Sequence, residues 1–485
     1  MAGNIMAAIP ENPGDEGDLK RALGPLHLIS LGIGCIIGAG IFVLTGHAAA
    51  GYAGPGVVIS FAIAGLGCLF AGLCYSEYAS MIPVAGSAYT YTYATMGRFL
   101  AWIIGWNLVL EYLAAASTVA VGWSGYFNNF LANTLGISVP RAFASAPIAL
   151  TGFHSVSATG ALFNLPAVAL IGLITYVLIV GVKTSANFNN AMVVIKLTIV
   201  LVVILACFAY IVPANHTPFI PPNQGEFGHF GWTGVFRATG VIFFSYIGFD
   251  AVSVAAQEAK NPQRDIPLGM LGSLFICTVL YMLMSYVLTG IANYSTLNVA
   301  HPVSAAVEAL PGTRWLAPFV NLGAIVGLAS VVLVLLLAQS RVFYAMSRDG
   351  LIPHVFSAVH RRFRTPYKGN IVTGLFAALL AGLLPLDILG ELVSIGTLAA
   401  FTIVCIGVMV LRVRAPHARR PFRTPFVWFT APAGIFMCLF MMVFLPLDTW
   451  LRLAAWTLIG LAIYFFYSIR HAHPPRYTIA AQPAE

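Results

Sequence analysis

Apolar residues fall in runs of the length a helix needs to cross a bilayer core about 30 Å thick. Short polar, glycine- or proline-containing breaks separate the runs. They predict twelve spans, near Leu26–Gly51, Gly56–Ile82, Phe99–Asn128, Leu162–Gly181, Phe188–Val212 and Trp232–Ala256 in the first half. Leu268–Ala292, Leu316–Met346, Val372–Leu384, Ile388–Leu411, Val427–Leu445 and Leu451–Ile469 follow. The ninth is short before Pro385, and the third and eighth are long enough to tilt. The ten-residue alternation of an outer-membrane barrel is absent.

Two spans are interrupted. The first reads Gly32-Ile33-Gly34-Cys35-Ile36-Ile37-Gly38-Ala39-Gly40-Ile41-Phe42, four glycines in nine residues. Each interior glycine costs about 0.5–1 kcal/mol relative to alanine. Such a stretch serves either close helix packing or a helix that opens at mid-membrane around a ligand. The sixth span breaks at Thr239-Gly240-Val241-Ile242-Phe243-Phe244-Ser245-Tyr246-Ile247-Gly248-Phe249-Asp250. Interrupted spans at corresponding positions of two halves are the sequence pointer to a transport site. The second break comes five helices after the first, so a broken pair is predicted, with Ile36, Ile37, Gly38, Ala39, Gly40, Phe244, Ser245, Tyr246, Ile247 and Gly248 around the substrate. A broken helix exposes N–H groups that receive a carboxylate and carbonyls that receive an ammonium. An α-amino acid carries both.

Composition agrees with the pattern. Hydrophobic residues make up 59% and charged residues 8% of the chain, against roughly 25% charged in soluble domains. Mean hydropathy is +0.88. The opening residues, Met1 to Arg21, are polar and partly acidic, without an apolar core or cleavage site, and read as a cytoplasmic tail. The net charge of +8 is distributed by topology. With the N-terminus inside, nineteen of the 24 Lys and Arg lie on cytoplasmic segments, as the positive-inside rule requires. Arg141, Arg314 and Arg452 fall outside, and Lys196 and Arg237 within spans. Both termini are then cytoplasmic, and anionic lipid is a secondary ligand for the basic inner loops such as Arg361-Arg362-Phe363-Arg364. No nucleic-acid role is expected. All seven cysteines lie in apolar segments without metal-ligand spacing, so neither disulfide nor metal nor other cofactor is predicted. His154, His216 and His229 are expected to be solvated.

The run Gly32–Phe42, the stretch Tyr75-Ser76-Glu77-Tyr78-Ala79-Ser80-Met81-Ile82-Pro83-Val84-Ala85-Gly86-Ser87-Ala88-Tyr89 and the loop Arg341-Val342-Phe343-Tyr344-Ala345-Met346-Ser347-Arg348-Asp349-Gly350-Leu351-Ile352-Pro353 resemble the amino acid–polyamine–organocation superfamily. Asn107-Leu108-Val109-Leu110-Glu111-Tyr112 and Phe249-Asp250 most resemble its cationic amino acid transporter family, in a bacterial twelve-helix form. The resemblance runs from Leu23 to about Ile469. It implies an all-α membrane fold of inverted five-helix repeats (the LeuT type) with helices 1 and 6 broken, alternating access and L-amino acid uptake. The expected organisation is a tail (1–25), a first repeat (26–212), a second repeat (213–411), two further helices (412–469) and a C-terminal tail (470–485).

Ionisable groups within spans are functional candidates because each costs at least about 2.5–3.5 kcal/mol at mid-bilayer. Lys196 lies deep in the fifth span, and removing an ammonium from water favours its neutral form. By resemblance it would touch the first broken helix near Gly34 and Ile37 and couple transport to protons; a structural ion pair is the alternative. Glu111 is placed by the resemblance beside the substrate, where it could meet a side-chain charge or line a proton route; a helix-packing carboxylate is the alternative. Glu77, Asp250 and Phe249 are gating candidates. Asp250 could equally cap a half-helix beginning near Ala251, and Arg237 is expected to snorkel outward. One of Phe244, Tyr246 and Phe249 is expected to close the site, and Tyr89, Tyr91 and Tyr93 to pack the bundle or line the interface.

No HExxH, GxSxG, histidine-rich span or phosphate loop is present, which disfavours a membrane enzyme or an ATP-driven pump. The expected function is a proton-coupled importer of L-amino acids, cationic or small neutral, spanning the cytoplasmic membrane. An exchanger or a non-transporting amino acid receptor stays open.

Overall fold

A computed structural model describes residues 23–82, 87–150, 156–181, 186–223, 225–363 and 365–472. Lys20, Arg21, Lys183, Arg364, Arg476, His154, the 83–86 part of the second motif and most of both predicted tails lie outside the described residues.

The chain is a bundle of apolar helices. We label them α1 (Pro25–Ile36), α2 (Val57–Met81), α3 (Arg98–Phe130), α4 (Leu165–Val180), α5 (Ala186–Phe208) and α6 (Gly231–Ile242). Further along are α7 (Pro262–Ile291), α8 (Ala317–Arg348), α9 (Tyr367–Leu383), α10 (Leu386–Arg414), α11 (Val427–Val443) and α12 (Leu447–Ile463), with shorter helices such as Ser87–Met96 and Pro302–Ala309 between the labelled ones. Among the described residues, eight helical segments are long and apolar enough to cross a membrane, and α1, α4, α9 and α11 are shorter apolar helices.

Helix starts depart furthest from the hydropathy pattern. α7 begins at Pro262, six residues before the predicted apolar start. Proline suits the first turn because its missing N–H is not needed there, and Asp265 accepts a hydrogen bond from the Asn261 N–H. α9 likewise begins at Tyr367, five residues early. Polar first turns are invisible to hydropathy. Between α3 and α4 the extramembrane segment forms a two-stranded antiparallel hairpin, Ile148–Leu150 against Val156–Ala158, in a chain expected to be all-α.

Helix α3 is the central post, packed along α8 and α10. At about 1.5 Å per residue its 33 residues exceed the core thickness. α1 packs on α7 through small residues: a Cβ on Gly32 would lie 2.3 Å from Ser273 Oγ. Packing is therefore the role of Gly32. All seven cysteines are buried.

Candidate functional site

The first helix stops at Ile36. Ile37 is extended (φ −72°, ψ 97°), Gly38 bends, and the chain resumes as a π turn at Gly40–Leu44. The sixth stops at Ile242, tightens into a 3-10 turn at Phe243–Tyr246, extends at Ile247 and continues as a 3-10 helix from Asp250. Gly248 has φ of +108°, a conformation only glycine adopts without strain. The two breaks touch. A Cβ on Gly40 would meet Ser245 Cβ and Oγ at 2.4 Å, and one on Gly248 would meet Cys35 Cβ at 2.9 Å. The glycines at the breaks are there for close approach of backbone to backbone.

The freed carbonyls are held from α7. Tyr281 Oη lies 2.7 Å from both the Ile36 and the Ser245 carbonyl oxygens. A hydroxyl has one proton, so it donates to one carbonyl at a time. A second donor at this point, such as a substrate ammonium, would satisfy both. Nothing in the local sequence marks Tyr281; only the tertiary contact reveals it.

Beside the breaks is a cavity of about 10 Å³. It is lined by Cys35, Ile36, Gly38, Ala39 and Gly40 from the first break and by Phe244 and Ile247 from the second. Ala115 and Val119 of α3, with Val331 and Leu335 of α8, complete it. That volume is near the threshold for one water, so in this conformation the site has no room for an amino acid. Its side chains are apolar. Six of the predicted substrate residues thus share one cavity, and five lining residues were missed: Cys35, Ala115, Val119, Val331 and Leu335. Ala115 and Val119 sit one and two turns beyond Glu111, so helical spacing from that residue could have found them.

The remaining predicted residues lie around it. Ile37 gives its carbonyl to Lys196, whose Nζ donates to Gly34 O at 2.8 Å and Ile37 O at 3.3 Å. Lys196 is fully buried, and among the described residues no carboxylate pairs with it, so the ion-pair alternative is not realised. Gly327 of α8 leaves room for its stem: a Cβ there would be 3.1 Å from Lys196 Cγ. Tyr246 turns away and donates to Phe61 O at 2.7 Å.

Glu111 is one turn off the cavity wall and fully buried, with neither oxygen hydrogen-bonded. Thr397 of α10 lies beside it, and Gln339 is one turn past Leu335 on α8. Both are buried and also lack hydrogen-bond partners. Buried polar atoms are nearly always paired, so these three are candidates for contact with a ligand or water in another conformation.

Asp250 lies in the first turn of the following 3-10 helix, and its carboxylate accepts from Tyr112 Oη at 2.5 Å. Arg237 corrects one expectation: it does not snorkel. It is 4% exposed, over the Tyr52 ring at 4.9 Å and 3.8 Å from Glu391. His216 and His229 are only partly exposed. His216 is bonded to Tyr286 O at 3.1 Å and its proton affinity is lowered by burial; His229 lies 3.7 Å from Glu226.

Beyond the second break the bundle is packed with rings and charges. Phe249 packs on Tyr75 and Phe401, with centroids 6.2 and 5.2 Å away. Tyr89, Tyr91 and Tyr93 are buried in the same region of the bundle. Glu77, fully buried, accepts from Arg412 Nη2 at 2.7 Å, Arg420 Nε at 3.0 Å and the Thr424 N–H at 2.8 Å. This ties α2 to the end of α10 and the loop after it.

The profile of the amino acid permease family matches residues 23–467. The branched-chain amino acid permease BcaP of Bacillus subtilis (strain 168) is 47% identical over 94% of this chain and 95% of its own length. The methylthioribose transporter of the same organism is 46% identical over 94% and 95%. The vacuolar cationic amino acid transporter 4 of Arabidopsis thaliana is 38% identical over 82% of this chain and 64% of its own. These relatives are permeases and transporters, not enzymes. Together with the apolar helices, they make this chain a multi-pass protein of the cell membrane, and it belongs to the amino acid permease family.

Proposed function

We propose that the protein is a proton-coupled L-amino acid importer working by alternating access. The observation that carries this reading is the pair of bonds from Lys196 Nζ to Gly34 O and Ile37 O, across the first break. A charged ammonium holds those carbonyls in place; a neutral amine holds them more weakly. Proton loss at Lys196 is thereby linked to movement of the half-helix. The meeting of the two breaks supports two inverted halves, 26–212 and 213–411, with 412–469 outside the repeat. The basic residues support cytoplasmic termini. The substrate carboxylate docks on the N–H groups around Gly38–Gly40, and its ammonium takes the Ile36 and Ser245 carbonyls now shared by Tyr281.

The apolar walls Ala115, Val119, Ile247, Val331 and Leu335 favour a neutral apolar side chain, in line with the name of the Bacillus branched-chain relative. A second reading, a cationic substrate, is favoured by the unpartnered Glu111 one turn away. Phe249, Asp250 and Glu77 gate the inner side. Uptake in proteoliposomes of a radiolabelled panel (branched-chain, small neutral and cationic amino acids, and methylthioribose), with and without an inward proton gradient, tests all of this. Gradient-driven accumulation of an amino acid is expected. Exchange without accumulation would replace symport by antiport, and binding without uptake would leave a receptor.

A further inference from the structure

On the far side of the cavity from the basic loops, His47 sits in the resumed half of the first broken helix, within Thr45–Ala48. Its Nδ1 is 3.5 Å from Asp387 Oδ1, in the first turn of α10. Its Nε2 is 3.2 Å from the Val299 carbonyl, in the loop after α7. Both ring nitrogens thus face acceptors. A neutral imidazole has one N–H and one lone pair, so it must leave one acceptor facing a lone pair; only the imidazolium donates to both. The pair is 17% and 36% exposed, so it is not sealed inside the bundle.

From this geometry we infer that His47 is a second proton-binding site, separate from Lys196, whose occupancy latches the outer half of the first broken helix closed. Protonated His47 joins three elements that must part for the cavity to open on that side: the half-helix, α10 and the α7 loop. Deprotonation removes the ion pair with Asp387 and leaves one hydrogen bond at most.

The surrounding charges are arranged around other partners. Glu391, one turn beyond Asp387, is held by Thr449, Arg452 and Arg237, with contacts of 2.7, 3.4 and 3.8 Å. Arg237 lies over Tyr52, which follows His47 in the same half-helix. His301, on the same loop as Val299, turns to the Tyr126 ring. Asp387 is therefore the carboxylate that faces His47. That this side is the outer one rests on the orientation proposed above, but the pairing does not.

The test is substrate counterflow in proteoliposomes with the same pH on both faces. Orientation and the proton driving force then drop out, and failure of the Lys196 reading leaves the result interpretable. Acid favours the latched, closed form. The wild-type exchange rate should fall about threefold between about pH 7.5 and 5.5, where histidine titrates and as expected of a partly buried pair. His47→Gln and Asp387→Asn should each exchange within about twofold of wild type at the upper pH and lose the acid limb. Should His47→Gln not reach the membrane, Asp387→Asn carries the test. In detergent, its deficit in melting temperature should be larger at the acid pH and shrink as His47 deprotonates. An acid limb kept by either variant, or a melting deficit independent of pH, overturns the proposal.

Discussion

Lys196 Nζ donates to Gly34 O at 2.8 Å, joining α5 to the last turn of α1 across 162 residues of sequence. The carbonyl belongs to one of the glycines that make the first helix breakable. One side chain therefore reports on whether that break is held.

Lys196→Met should bind substrate but lose proton-driven accumulation. Its stem still fits beside Gly327, while the two bonds to the break are gone. Binding by scintillation proximity and uptake under an inward proton gradient check the two halves separately. Uptake that still rises with acid in this variant would remove Lys196 from the coupling.

Tyr281→Phe removes the one hydroxyl that bridges Ile36 O and Ser245 O. A lost hydrogen bond of this kind is worth about 0.5–1.5 kcal/mol. Substrate affinity should weaken about two- to tenfold, because the two carbonyls are no longer held together for an ammonium. Unchanged affinity in equilibrium binding would show that the hydroxyl is only a packing strut.

Gly40→Ala places a methyl 2.4 Å from Ser245 Cβ and Oγ. Overpacking of this kind costs about 1–3 kcal/mol and pushes the two breaks apart, so transport should fall more than expression. Shortening the opposing side chain in Gly40→Ala/Ser245→Gly should restore part of it. No rescue in the double variant would place the damage elsewhere.

Glu77→Gln leaves Arg412 and Arg420 facing a neutral amide. Breaking a buried ion pair from one side costs about 3–5 kcal/mol, so a clear drop in melting temperature is expected. Glu111→Gln should behave differently: stability largely kept, since the carboxylate makes no hydrogen bond. Loss of uptake should be greater for cationic than for neutral amino acids. Equal loss of both would give Glu111 a general role.

The sequence by itself determined the class, the approximate spans and the two interruptions. Hydropathy and glycine spacing are local quantities, and a bilayer enforces them at every position. It also singled out Lys196 and Glu111, because a charge inside an apolar run is conspicuous without any structure. Tertiary structure decided what those residues meet. That Gly40 touches Ser245, that Tyr281 spans the two freed carbonyls, that Arg237 is buried on Tyr52 instead of snorkelling, and that Asp250 accepts from Tyr112 are all long-range contacts. Each depends on how helices far apart in sequence pack, and a one-dimensional pattern does not encode the partner. The cavity wall from α8 escaped for the same reason: Val331 and Leu335 look like any lipid-facing residue until two helices enclose them, whereas Ala115 and Val119 of α3 share the helical spacing of Glu111.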